Sequence, residues 1–345
     1  SSGKTDRYAA IFIFAFSFLL YANTLNHGYV LDDDVVYLKN KDVQAGFSGI
    51  KSILNHSFIY GFTGHNDQSY RPVVSIIYAI EKQFFGNNPH TGHFINIFLF
   101  ALSCVLLYRL MQKLFQNFSF HTFSIANSQF SIPFLITLLF AAHPIHTEAV
   151  ANIKGRDDIL NFFFLELTLF FILKHVDEKA KKYFVFSVLF FFLSLLCKEV
   201  AVTFLAIIPL TLYFFRDVPL KKIALGFVSF ASVLGIYMLI RSSVLETVTF
   251  AEKMKVVNNA LAAATTESDR IATAIFILGK YILLLFYPHP LSWDYSFNQI
   301  PIVGLTDIKV ILTLALFSAL GIFALMNFKR KNIFAYCILF FFITM

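Results

Sequence analysis

Several apolar runs in this chain are long enough to cross a lipid bilayer, and nothing else in it limits the fold so severely. A hydrocarbon core about 30 Å thick takes about 20 helical residues, and within it every backbone N–H and C=O must be satisfied internally. Candidate spans lie at 8–25, 93–111, 125–142, 158–174, 181–197, 199–216, 221–241, 309–326 and 332–345. With 57% hydrophobic residues and 45 phenylalanines among 345, a water-soluble fold would leave too much apolar surface exposed. The expected fold class is an all-α polytopic membrane protein. The run from Tyr8 to about Thr24 is followed by Asn26-His27-Gly28 rather than a small-residue cleavage site, so it reads as a retained first span.

The formal charge of +7 does not indicate nucleic acid, because Lys and Arg are dispersed among short links between apolar runs. Cys104, Cys197 and Cys337 are too widely spaced for a disulfide framework or a thiolate metal site. Two further stretches are ambiguous. Residues 73–84 are short and carry Glu81 and Lys82, which suits an interfacial helix; residues 271–287 could span on length alone. Placing 1–7 in the cytoplasm and both ambiguous stretches outside makes every short inner link basic: Arg109/Lys113, Lys174/Lys179/Lys181/Lys182, Arg216/Lys221/Lys222 and Lys329/Arg330/Lys331. This gives roughly nine crossings. The membrane domain is then 8–345, with a first outer loop at 26–92 and a later outer segment at 242–308. The run that begins near Ile333 is expected to continue past Met345.

On that topology the carboxylates gather on one face. Asp32, Asp33 and Asp34 follow the first span directly, and three adjacent acids need a cation, a partner base or open water. A second group runs from His143, His146 and Glu148 to Arg156, Asp157 and Asp158. Its His-Pro-x-His-x-Glu order invites a zinc reading, but the zincin order His-Glu-x-x-His is absent and Pro144 opposes an uninterrupted helix. A polar substrate site and ordinary loop packing remain open beside it. Gly155 is read as chain freedom where the loop enters the next span. Lys198-Glu199 interrupts an otherwise apolar stretch, marking either a turn or a paired site. Arg71 precedes Pro72, which can open a helix at its first turn, and His93 stands near the start of the next span. Glu166 lies mid-span among Phe and Leu and should either pair, with a cation of the bundle as the expected partner, or be neutral.

The ordered succession Tyr29-Val30-Leu31-Asp32-Asp33, Asn40-Lys41-Asp42-Val43, Tyr70-Arg71-Pro72, His93-Phe94-Ile95-Asn96, Ala142-His143-Pro144-Ile145-His146-Thr147-Glu148, Gly155-Arg156-Asp157 and Cys197-Lys198-Glu199 resembles the transmembrane and tetratricopeptide-repeat-containing O-mannosyltransferases. It resembles their bacterial relatives more than the animal enzymes. The resemblance implies a GT-C-like bundle and a sugar donor on a polyprenyl or dolichyl phosphate. An early first-loop carboxylate, Asp32 or Asp33, would act as catalytic base. Family members usually append tetratricopeptide repeats, which this chain does not show.

The chemistry expected of such a site is a single inverting displacement. An acceptor hydroxyl, such as that of a protein Ser or Thr, loses its proton to Asp32 or Asp33 while the lipid phosphate departs. Arg71, Arg156 and Lys198 would hold the phosphate with His143 or His146, and Glu148, Asp157, Glu199 and His93 would support them. No metal is required, since the phosphate already leaves well. A divalent cation, if used, would be Mg2+ or Mn2+ on Asp32, Asp33 and Asp157. The expected location is a bacterial inner membrane, multi-pass, with the site facing the periplasm and lipids around it. A transporter or flippase of lipid-linked sugars is the rival reading, and Glu166 is its one supporting residue.

Overall fold

The computed structural model describes residues 2–116, 122–125, 128–245, 260–292, 295 and 299–345. The chain divides into two compact units, Ser1–Val248 and Thr249–Ile343. The longer helices of the first are α1 (Ser2–Leu20), α2 (Pro72–Phe85), α3 (Pro89–Phe115), α4 (Ile132–Ala142), α5 (Arg156–Glu178), α6 (Lys181–Leu195), α7 (Phe204–Phe215) and α8 (Leu220–Val244). Those of the second are α9 (Glu267–Phe286), α10 (Ile308–Phe328) and α11 (Ile333–Thr344).

Local chemistry sets several of these boundaries. Pro72, Pro89 and Pro133 each stand in the first turn of a helix, where an N–H would lack a partner anyway. Asn88 caps α3 by accepting from the His90 amide at 3.0 Å, and Ser131 caps α4 through the Phe134 amide at 3.3 Å. The link between α5 and α6 turns on Lys179, whose φ of 54° ends α5 in the left-handed region. Between those two helices the Ser187 hydroxyl donates to the Thr168 carbonyl at 2.8 Å, a polar tie of the kind that joins helices in lipid.

Among the described residues four helical segments are long and apolar enough to cross a membrane: Pro89–Phe115, Ile153–Glu178, Leu220–Val244 and Ile308–Phe328. Ile132–Ala142 with Pro144–Ala151 makes a fifth if that pair, bent by 50°, counts as one span. The molecule is thus an all-α polytopic membrane bundle, but with fewer full-length spans than the roughly nine expected. The shortfall has local causes. The helical part of 125–142 begins only at Ile132, because Ser128–Ser131 pairs with Thr122–Ile125 in a short antiparallel ribbon; residues 126–127 lie outside the described residues. The expected span 181–197 is a helix of 15 residues, about 22 Å long against a core of about 30 Å, and in 199–216 a 3-10 turn of 5 residues, Glu199–Thr203, runs into an α-helix of 12, together still short of a full-length span. α1 carries Lys4, Asp6 and Arg7 in its first turns, so its apolar part is short, and α11 has 12 residues. Residues 73–84 form α2, of 14 residues, too short to cross and suited to the interface. The other ambiguous stretch is α9, 20 residues long but carrying Glu267, Asp269, Arg270 and Lys280.

Charge sorting along the helices of the first unit follows the expected topology. Asp177, near the end of α5, accepts from Arg216 Nε at 2.7 Å and lies 2.9 Å from Lys113 Nζ, so residues of three links expected on the inner side meet there. Asp6 on α1 takes hydrogen bonds from Tyr108 and Gln112 on α3, close in sequence to Arg109 and Lys113. The opposite end of α5, about 33 Å away by helical rise, carries Arg156, Asp157 and Asp158.

The second unit packs α9 on α10 around Ala272, Phe276, Ile300 and Val310. Gly279 allows close approach, since a Cβ there would collide with Thr313. Of the expected outer segment 242–308, residues 246–259, 293–294 and 296–298 lie outside the described residues.

Candidate active site

The first loop is fastened to the link before α5 by one carboxylate. Leu31, at φ 49°, reverses the chain so that Asp33 Oδ2 accepts from the Val30 amide at 2.9 Å. Asp33 Oδ1 accepts from the amide of Lys154, 121 residues away, at 2.8 Å. Asp33 is wholly buried, and that burial pushes its carboxyl up from the ordinary value while the Val30 and Lys154 amides pull it down. Its neighbours differ. Asp32 is exposed, and Asp34 pairs with Lys39. The two candidate bases therefore divide into Asp33, which joins two loops, and Asp32, which is exposed.

Beside this junction lies a network of charges. Arg71, just before α2, forks between Asp157 Oδ2 at 2.6 Å and Glu199 Oε2 at 3.0 Å. Its position follows from the docking of α2, because the Val73 amide donates to the Leu196 carbonyl at 3.4 Å and so brings Arg71 to the Lys198-Glu199 turn. Lys198 Nζ is 2.6 Å from Asp158 Oδ1 and 4.0 Å from Asp157, while Lys154 Nζ is 3.8 Å from Asp157. The interruption at Lys198-Glu199 is thus a turn and a paired site together.

Arg156 lies beneath, not within, this network. It is fully buried, pairs with Glu81 on α2, donates from Nε to Asn96 Oδ1 at 2.8 Å and from Nη2 to the Gly92 carbonyl at 3.0 Å, and stacks over Tyr78 at 4.7 Å. The expectation that Arg156 holds a phosphate meets a guanidinium already committed to protein partners on several sides. Tyr78 donates to the Ile153 carbonyl at 2.8 Å and Asn96 to the Asn152 carbonyl at 2.8 Å, so α2, α3 and the start of α5 close on one another. Two glycines permit this. A Cβ on Gly92 would strike Ile153, and one on Gly155 would strike the Ala149 carbonyl; Gly155 has an ordinary φ of −61°, so its role is close approach and not conformational freedom.

The histidines are placed differently from one another. His93, fully buried, bonds the Gly28 carbonyl through Nε2 at 3.1 Å and sits in the electrostatic field of Asp33. His143 and His146 lie at the bend after α4. His143 Nδ1 accepts from the Ile145 amide at 3.3 Å, capping the turn, and the His146 ring packs on Phe140 with centroids 4.3 Å apart. Their rings are 6.3 Å apart, and Glu148 is exposed. Among the described residues no group of three or more His, Cys, Asp or Glu is placed to hold a metal ion. Of the three acids considered as oxygen ligands, Asp33 receives two backbone amides and Asp157 receives Arg71 and the Asp158 amide.

Sequence reasoning passed over Glu81 and Tyr78 as site-building residues. Glu81 carried a signal, since an acid on a mostly apolar helix needs a buried base once that helix docks. Of the two states expected for Glu166, the paired one is not found among the described residues: it is buried, and neither carboxylate oxygen has a hydrogen-bond partner there.

The chain is similar to known proteins over most of its length. Residues 253–321 match the family model described as Protein O-mannosyl-transferase TMTC, DUF1736. The chain is 28% identical over 342 residues to Protein O-mannosyl-transferase TMTC2 of Homo sapiens and 26% identical over 342 residues to tmtc2 of Xenopus laevis, in each case over 92% of this chain and 39% of the relative. Over a shorter stretch of 161 residues, 46% of this chain and 17% of the relative, it is 33% identical to TMTC1 of Homo sapiens. The chain therefore spans about two fifths of the length of the first of these relatives. These relatives are animal proteins, and none of them supports the expected bacterial origin. No solved structure matches. By sequence, the chain is similar to eukaryotic proteins named as O-mannosyl-transferases.

Proposed function

We propose that this chain is the membrane portion of a glycosyltransferase that moves a sugar from a polyprenyl-phosphate donor to an acceptor hydroxyl, a protein Ser or Thr being the acceptor favoured by the similarity to O-mannosyl-transferases. The observation that carries this reading is the Asp33–Lys154 hydrogen bond of 2.8 Å, which brings the first-loop acids to the same end of the bundle as Arg71, Asp157 and Lys198. An exposed acid beside a row of bases is what the reaction needs.

In the proposed step the acceptor oxygen attacks C1 of the sugar, the bond from C1 to the phosphate oxygen breaks, and the acceptor proton passes to Asp32. The product is a glycoside of inverted configuration, and the lipid phosphate leaves with the bonding pair. Asp32 suits the base because it is exposed, whereas Asp33 has both oxygens engaged by backbone amides. Lys198, with Lys154 and Arg71, would stabilise the departing phosphate. Arg156 serves as a positioning residue, holding α2 and α3 against the loop from which Lys154 and Asp157 project. The reaction is proposed to need no metal. The site is proposed to face the non-cytoplasmic side, a reading supported by the basic short links, which suit the inner side.

Glu166 is the observation on the side of a lipid-linked-sugar transporter, since it is a buried carboxyl without a hydrogen-bond partner among the described residues. Purified protein in liposomes, supplied with hexosyl polyprenyl phosphates and a hydroxyl-bearing peptide, separates the two. Sugar appearing on the peptide supports the transferase. Lipid-linked sugar moved across the bilayer with no glycosylated peptide would replace that reading with the transporter.

A further inference from the structure

Four buried polar atoms beside the proposed phosphate site have no hydrogen-bond partner among the described residues: Arg71 Nε, Glu199 Oε1, Tyr237 Oη and Arg241 Nε. Two of them come from α8, far from the motifs of the first loops. Tyr237 and Arg241 are four residues apart and so share one face of that helix. Arg241 Nη2 donates to the Gln68 carbonyl at 2.7 Å, and Asn66 Nδ2 donates to the Val244 carbonyl at 3.2 Å, which holds the end of α8 against the segment that leads into Arg71. The Tyr237 side chain, only 1% exposed, lies within electrostatic reach of Glu199, Arg241 and Arg71.

Leaving such atoms unpaired is costly, so their chemistry describes what they await. Arg71 Nε and Arg241 Nε only donate, Tyr237 Oη can do either, and Glu199 Oε1 only accepts. A phosphate offers acceptors alone and would be repelled by Glu199. A sugar ring offers hydroxyls that both donate and accept. We infer that Arg71 Nε, Glu199 Oε1, Tyr237 Oη and Arg241 Nε form the subsite that reads the hydroxyls of the transferred sugar. This rests on the transferase reading above and adds residues that select the donor's sugar.

The test compares two probes on the purified full chain: a polyprenyl phosphate carrying one hexose, and the same lipid phosphate without it. Tyr237→Phe removes only a hydroxyl that bonds nothing in the protein. It is expected to weaken binding of the hexosyl lipid about 3- to 10-fold, the effect of one neutral hydrogen bond, and to leave the bare lipid unchanged. Glu199→Gln is expected to act in the same direction, and it carries the comparison if Tyr237→Phe fails to fold. Equal weakening of both lipids would assign these atoms to the phosphate, and unchanged binding of both would leave them to water; either overturns the inference. If wild type transfers no sugar but still prefers the hexosyl lipid, and Tyr237→Phe erases that preference, the subsite stands and the transferase reading falls. If wild type binds the two lipids equally, the subsite falls, and the transfer assay alone then judges the reaction.

Discussion

Glu81→Gln tests whether the buried pair beneath the site holds its loops together. Arg156 is fully buried and the Glu81 side chain is 1% exposed, so removing the Glu81 charge strands a guanidinium where water does not reach. Breaking a buried ion pair from one side costs about 3–5 kcal/mol. The remaining contacts of Arg156, to Asn96, the Gly92 carbonyl and the Tyr78 ring, are to uncharged groups and do not replace the carboxylate. At roughly 2 °C per kcal/mol for a chain of this size, thermal unfolding of the purified protein should fall on the order of 6–10 °C. The double variant Glu81→Leu, Arg156→Met should recover at least half of that loss, because removing both charges leaves no uncompensated ion, although Asn96 and the Gly92 carbonyl lose a donor. A shift below about 2 °C for Glu81→Gln would refute the reasoning, since it would mean that Arg156 finds another counter-charge or solvent.

Other outcomes follow from the same geometry. Lys198→Met should weaken donor binding about tenfold if the ammonium contacts phosphate, as measured by titration with a polyprenyl phosphate; unchanged affinity would leave Lys198 as the partner of Asp158 alone. Arg71→Lys, which keeps the charge but cannot fork between Asp157 and Glu199, should lower both donor affinity and thermal stability, and wild-type behaviour in both would contradict a role for the fork. Asp33 binds its proton more readily in the folded protein than in the unfolded chain, so its contribution to stability is present below the ordinary carboxylate value of 3.8 and is lost as pH rises through its elevated folded value. The unfolding temperature of the purified protein should decline across that window, and a rise instead would reverse the assignment.

The membrane class and the meeting of the basic links at one end of the first unit's helices were legible because they rest on long apolar runs and on the placement of Lys and Arg, both of which are local properties. The partners of Asp177 show this: Lys113 and Arg216 come from links that charge alone assigned to one side. Span lengths were less legible. Hydropathy alone does not reveal that Ser128–Ser131 leaves helix for a ribbon, or that the 181–216 stretch breaks into helices of 15 and 12 residues around Lys198. Within the site, residue types clustered along the chain were found, and long-range pairings were not. That Asp33 is a joint and Asp32 is free depends on the fold of residues 152–155, and Arg156 turns inward because Glu81 waits for it on α2. Tyr237 and Arg241 carried no motif at all; only the docking of α8 beside Gln68 and Asn66 brings them forward.

The most direct measurement follows sugar from a hexosyl polyprenyl phosphate to a Ser/Thr peptide, with wild type, Asp32→Asn and Asp33→Asn in parallel. Transfer by wild type, a fall of about 10²–10⁴ in Asp32→Asn at undiminished thermal stability, and a loss of stability in Asp33→Asn is the predicted pattern. Full transfer by a correctly folded Asp32→Asn, or none by wild type, would contradict the account.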